Sequence, residues 1–268
     1  MDSGYFTLAI QNISNHKTDL NSLNGLSGNA AGIHKESVKL LTANITYMIS
    51  LQDDLQANTN TMHTHLQDAL SFLNENNREA VLVSIHKTHE IAVRFDKRLD
   101  DATAYTLSLK KDVIQFSQEA NKVLKQLEKQ EQQLAVEAQK AKDKADKYKK
   151  ERYYFLALGP FGLAGLATAT GLFTSWTNKS KNASKKVKNK RNEIKQVKDL
   201  QEAILELQDS YGFSLEVLSN VKNVLVFLTS DINNVMNNIN NSTEENTVLA
   251  LYLNASVKQL EVMQVEIS

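Results

Sequence analysis

Residues 153–178 read YYFLALGPFGLAGLATATGLFTSWTN and contain no charged side chain. A helix that spans a bilayer needs about 20 predominantly apolar residues. Tyr153, Tyr154 and Trp176 bracket the run as aromatic residues do at a membrane interface. Water is a costly environment for such a stretch, so it requires lipid, a partner or a fold of its own. Three arrangements satisfy that requirement: a buried core helix, a single transmembrane helix, or a hairpin or re-entrant head. Gly159-Pro160, followed by Gly162 and Gly165, breaks or sharply bends a helix. The run then divides into a short arm, 153–158, and a longer arm, 161–177, and this division favours the hairpin.

The flanks point the same way. Lys140, Lys142, Lys144, Lys147, Lys149, Lys150 and Arg152 precede the run; Lys179, Lys181, Lys185, Lys186, Lys188, Lys190, Arg191 and Lys195 follow it. A single spanning helix usually carries more Lys and Arg on one side than on the other. Basic residues on both flanks suit two ends that emerge on the same side. The residues nearest the run, Lys147, Lys149, Lys150, Arg152, Lys179, Lys181, Lys185 and Lys186, are therefore expected to form a lipid-headgroup collar at an anionic surface. Each is worth about 1 kcal/mol there. The alternative for these lysines is a solvated helix face that keeps the protein in solution. The residues expected to enter lipid are Tyr153, Tyr154, Phe155, Leu156, Leu158, Pro160, Phe161, Leu163, Leu166, Leu172, Phe173 and Trp176. Gly162, Gly165, Ala169 and Gly171 permit close helix approach in lipid, or a compact head before insertion.

Outward from the head, the chain reads as two long helices. No proline or glycine occurs between about Glu79 and Arg152, so this stretch predicts one helix roughly 110 Å long at about 1.5 Å per residue. Leu109, Val113, Phe116, Ala120, Val123, Leu127, Leu134, Ala141, Ala145 and Tyr148 step by threes and fours, a coiled-coil stripe. Its leucines give way to alanines towards Ala145, which lets two helices approach closely. A second helix is predicted from about Asn178 to Ile239, with Gly212 as a candidate kink. Its stripe includes Ile194, Val197, Leu200, Ile204, Leu207, Leu218, Val221, Leu225, Leu228 and Ile232. Two nearly equal arms around one break predict an antiparallel hairpin.

The ends supply the rest. A short helix is expected near Tyr5–Ile13. A second runs from about Ile33 to Ala57 and breaks at Asn58-Thr59-Asn60; another carries Leu66, Leu70, Phe72 and Leu73. Asn74–Asn77 ends that one. Ser242 and Thr243 are candidate N-caps of a last helix, with Glu244 and Glu245 in its first turn. The fold class is all-α: an elongated bundle with a long antiparallel coiled-coil hairpin stalk, a helical tail bundle and an apolar head. The predicted domains are a tail bundle over 1–110 and 205–268, a two-helix stalk over 111–152 and 178–204, and a hydrophobic membrane-inserting head over 153–177.

Composition agrees. One proline and nine glycines in 268 residues leave few turns, and aromatics make up only 7%. Lys plus Arg equals Asp plus Glu, at 31 each, so no general attraction draws the chain to nucleic acid. The absence of cysteine excludes disulfides, thiol catalysis and cysteine-type zinc sites. The first fifteen residues lack a basic stretch followed by an apolar core, so a standard secretory signal is not expected.

The hairpin of long helices, the head YYFLALGPFGLAGLATATGLFTSW in mid-sequence and the helical tail together resemble the cytolysin A (haemolysin E) type of α-helical pore-forming toxin. Within that superfamily the chain looks most like the small C component of a tripartite toxin of Gram-negative bacteria such as Aeromonas. The resemblance covers nearly the whole chain as architecture and rests on layout rather than on a diagnostic motif. It implies a secreted protein, soluble before insertion, that rearranges and inserts its head into a target-cell membrane. It also implies assembly with two other homologous toxin subunits into a lytic pore, and self-association of the heads in the soluble form. The head has no alternating polar face with which to line a channel, so anchoring in one leaflet suits it better.

No active site is legible, and neither catalysis nor a cofactor is expected. His86 and His89, with Glu90, share a helix face at i, i+3 spacing, which a polar patch explains better than a metal site. No glycine-rich phosphate loop follows a strand. Two rival readings remain at the level of sequence. One is a bitopic membrane coiled coil whose halves lie on opposite sides and do not pair. The other is a soluble helical scaffold that docks a partner through the apolar segment.

Overall fold

The structure, a computed structural model, describes residues 4–158, 162–239 and 246–268. They form five α-helices and no strand: α1 Tyr5–Ser22, α2 Gly28–Asn74, α3 Arg78–Ala157, α4 Leu163–Asn238 and α5 Asn246–Ile267. The all-α expectation holds, with α3 and α4 as the two long helices.

Three local expectations change. The N-terminal helix α1 extends beyond Ile13 to Ser22, because Leu20 joins Phe6, Ala9, Ile10 and Ile13 on its buried face. Asn58–Asn60 does not break α2. Asn58 Nδ2 donates to the Asp54 carbonyl at 2.8 Å and Thr59 Oγ1 to the Leu55 carbonyl at 2.7 Å. These side chains bond backbone four residues earlier within the helix rather than diverting the chain. Thr59 is fully buried beside Met263 Sδ. Gly212, the candidate kink, lies within continuous α4.

The chain divides into two compact units. The first comprises residues 1–21, 36–115 and 203–268. Parts of α1, α2, α3 and α4 and all of α5 bury a core that includes Phe6, Met48, Leu66, Phe95, Leu228 and Leu253. Its α2–α3 turn is built by asparagines. Asn76 takes a positive φ of 57°, a conformation Asn tolerates better than most residues. Asn77 Oδ1 accepts the Ala80 N–H at 3.1 Å as the N-cap of α3. Arg78 then donates to the Ile239 carbonyl at 3.3 Å and to Asn246 Oδ1 at 3.2 Å, tying the end of α4 to the start of α5. The candidate caps Ser242 and Thr243 lie outside the described residues. Among the buried polar contacts of this unit, Asn44 Nδ2 donates to Tyr211 Oη at 3.3 Å. Burial pushes the Tyr211 hydroxyl well above its ordinary pKa of 10.0.

The second unit comprises residues 22–35 and 116–202. Within it α3 and α4 run antiparallel. Glu128 pairs with Lys198 at 3.6 Å, Glu131 with Arg191 at 2.8 Å, and Lys144 lies over Trp176 at 4.2 Å, so positions rise on α3 as they fall on α4. Ala120, Leu124, Ala141 and Ala145 from α3 and Val187, Val197 and Leu200 from α4 are buried. The turn between α1 and α2 enters this unit through Gly25, whose φ of 79° favours glycine.

Candidate membrane-contact site

The site is the end of the second unit where α3 gives way to α4. Helix α3 stops at Ala157; the Leu158 N–H donates to the Phe155 carbonyl at 3.3 Å in a closing turn. Helix α4 starts at Leu163 and returns against α3. Two glycines permit the return. A Cβ on Gly162 would collide with the Phe155 carbonyl oxygen, and one on Gly165 would lie 2.5 Å from the Phe155 ring. Phe155 therefore packs into the space the two missing side chains leave. Ala169 is buried behind them. The apolar run is thus two helical arms folded against each other.

Folding back buries one face only. Tyr153, Tyr154, Leu156, Leu158 and Leu172 remain exposed. Phe155, Leu166, Phe173 and Trp176 are half-buried. Pro160 and Phe161 lie outside the described residues, as does the side chain of Leu163. Large apolar side chains gathered at one exposed tip mark an interaction surface rather than ordinary surface scatter. No helix among the described residues is long and apolar enough to cross a membrane.

Next to the tip in both arms lie the residues expected to form the collar. Lys147, Lys149, Lys150, Lys179, Lys181, Lys185 and Lys186 are exposed, and Arg152 is half-buried. Arg152 lies 5.3 Å from the centre of the Phe173 ring, a cation–π contact between the arms. Trp176 takes two such contacts, from Lys144 at 4.2 Å and Lys179 at 4.3 Å. Over 140–152 and 178–195 the chain carries fifteen Lys and Arg against four Asp and Glu. Since the whole chain is neutral, the positive charge is concentrated beside the apolar tip. Sequence periodicity did not single out Lys144 as a partner of Trp176. The two positions are far apart in the chain, and only the register of the hairpin brings them together.

Among the described residues no group of three or more His, Cys, Asp or Glu side chains is arranged to hold a metal ion.

No protein-family model and no curated protein matches the chain. Solved structures do. The soluble AhlC triple head mutant of the tripartite α-pore-forming toxin AHL from Aeromonas hydrophila matches with a TM-score of 0.79 at 18% identity, over 99% of this chain and 98% of that one. XaxA from Xenorhabdus nematophila matches with a TM-score of 0.63 at 10% identity, over 99% and 95% of the two chains. The Bacillus cereus HblL1 toxin component matches with a TM-score of 0.59 at 10% identity, over 98% and 93%. At these identities the likeness is one of fold, and it extends over essentially the full length of each chain.

Proposed function

We propose that this chain is the membrane-engaging component of a multi-part α-helical pore-forming toxin. The observation that carries the reading is the exposed apolar tip of the α3–α4 hairpin directly above a ring of lysines. Lipid accepts the first and anionic headgroups attract the second. The fold it shares with tripartite toxin components supports the same assignment, and so does its full-length coverage of AhlC.

The geometry favours anchoring over channel lining. The short arm, 153–158, spans about 9 Å as a helix at about 1.5 Å per residue, against a hydrocarbon core about 30 Å thick. It reaches into one leaflet. Tyr153, Tyr154 and Trp176 would sit at headgroup level, with Leu156, Leu158, Pro160, Phe161, Leu163, Leu166, Leu172 and Phe173 deeper. The protein would be exported, soluble before insertion, and completed as a lytic pore by two homologous subunits. The reading assigns it no catalytic step. The bitopic alternative places the two halves of the chain on opposite sides of a membrane. The antiparallel contacts of α3 with α4 count against it.

The test is flotation of the purified protein with liposomes, alone and with candidate partner subunits, with dye release followed in parallel. Binding without release by the protein alone, and release once partners are added, supports the proposal. Failure to bind under every condition refutes it and leaves a soluble scaffold as the better account.

A further inference from the structure

Between α3 and α4, just below the head, the second unit contains a groove of about 660 Å³, a size typical of small-ligand sites. The one-carbon side chains of Ala141 and Ala183 leave the space, and the Trp176 indole lines it. Lys140, Lys144, Lys179 and Lys186 line it too. Lys144 and Lys179 converge on the same ring, at 4.2 and 4.3 Å from its centre, although their like charges repel. Four basic residues of this unit pair with carboxylates, Lys147 with Glu151, Lys190 with Glu193, Arg191 with Glu131 and Lys198 with Glu128, and all four lie outside the groove lining. Among the described residues none of the four groove lysines forms an ion pair. Two acids, Glu137 and Asp143, also line the groove. Asp143 Oδ1 is turned to Gln139 Nε2 on its own helix, at 2.7 Å.

We propose that this groove binds the phosphate-monoester headgroup of an anionic lipid. Four ammonium groups and two carboxylates leave the lining with a net charge of +2, more than a singly charged headgroup can neutralise, and lysine serves as a point-charge partner for phosphate. Basic pockets of this kind between helices take phosphoinositide-type headgroups. A dianion seated between Lys144 and Lys179 relieves their repulsion while the indole covers the apolar face of the headgroup. The inference rests on the membrane-engaging reading above and adds to it a built site within the collar. The groove lies at headgroup depth when the tip is in hydrocarbon.

Trp176 is the only tryptophan in the chain, so its emission reports on the groove directly. The full-length protein is titrated with inositol 1,4,5-trisphosphate and, separately, with inorganic phosphate. It is also titrated with phosphatidylcholine vesicles containing phosphatidylinositol 4,5-bisphosphate, and with phosphatidylserine vesicles of equal surface charge. The expected result is a saturable emission change with the trisphosphate, and vesicle binding at least tenfold tighter to bisphosphate than to phosphatidylserine at matched charge. K144Q/K179Q is expected to weaken both at least tenfold; K149Q/K181Q, which removes equal charge outside the groove, is expected to weaken trisphosphate binding less than threefold while lowering affinity for both kinds of vesicle alike. Equal weakening by the two variants would mean a diffuse collar and overturn the proposal. Saturation by trisphosphate or inorganic phosphate without any preference among vesicles would assign the groove to a free phosphate and overturn the lipid assignment. Flotation with phosphatidylserine vesicles separates the two readings. If it persists in K144Q/K179Q while no saturable signal exists, the groove proposal falls and the head anchor stands. If the wild type floats with no vesicle, both fall.

Discussion

Replacing Leu156 and Leu172 with aspartate removes apolar area from the tip without touching its packed face. Leu156 is 51% exposed and Leu172 37% exposed, together about nine-tenths of one leucine side chain available to lipid. Full burial of a leucine is worth about 1.5–3 kcal/mol, so about 2 kcal/mol of transfer energy is lost. Each carboxylate carried into the bilayer costs up to about 3 kcal/mol at the centre and about 1 kcal/mol nearer the interface. The sum is about 4 kcal/mol, and a tenfold change corresponds to about 1.4 kcal/mol. L156D/L172D should therefore partition onto phosphatidylcholine–phosphatidylserine vesicles at least a hundredfold more weakly than wild type. Exposed substitutions usually change stability by no more than about 0.5 kcal/mol, so helicity by circular dichroism and the urea midpoint should be retained. Partitioning within threefold of wild type, with the fold intact, would refute the anchoring argument.

Gly162→Ala should open the hairpin tip, since its Cβ meets backbone at the Phe155 carbonyl and overpacking of this kind costs about 1–3 kcal/mol. Gly165→Ala should do less, because it meets only the Phe155 ring, which can turn. Hydrogen exchange of the 153–169 amides reads both, and equal protection in the two variants would contradict the ordering. Tyr211→Phe leaves the buried Asn44 amide without its acceptor and should lower unfolding stability by about 1–3 kcal/mol, measured by urea denaturation at pH 7. The Tyr211 hydroxyl is held neutral by burial, with its pKa raised above the unfolded value. Its contribution is therefore complete below about pH 10 and is lost as pH rises beyond it; the alkaline fall in stability should be shallower in Y211F. Removing the Glu131–Arg191 pair, whose arginine is exposed and whose carboxylate is part-buried, as E131Q/R191Q should cost no more than about 1 kcal/mol, and a larger loss would show that the part-buried carboxylate depends on its partner.

The long elements were legible because their chemistry repeats. The stripe from Leu109 to Ala145 and that from Val197 to Leu228 mark a face turn after turn, and Gly159-Pro160 with Gly162 and Gly165 marks in the sequence where the two helices are expected to separate. The unbroken α2 was not legible. Asn58 and Thr59 bear side chains that either end a helix or bond back into it, and burial of Thr59 against Met263, more than two hundred residues away, decides the matter. Helix α1 was underestimated for a related reason: Leu20 lies a full seven residues beyond Ile13, with only polar residues between. At the site, the exposed apolar tip and the lysines beside it were legible from composition, because an uncharged run between basic flanks shows in the sequence without knowledge of any contact. The Lys144–Trp176–Lys179 cluster and the seating of Phe155 against Gly162 and Gly165 did not. Each depends on the register in which the two arms meet, to which a local pattern is blind.

The central claim is that the hairpin tip enters hydrocarbon while the tail stays in water. The chain has no cysteine, so a single environment-sensitive dye at Leu156→Cys reports from the tip alone. The same dye at Leu251→Cys, on an exposed position of α5, reports from the tail. With liposomes, the account predicts a blue shift at position 156 that lipid-borne acyl-chain quenchers suppress, and no change at position 251. An unshifted, unquenched dye at position 156 on vesicle-bound protein would contradict it.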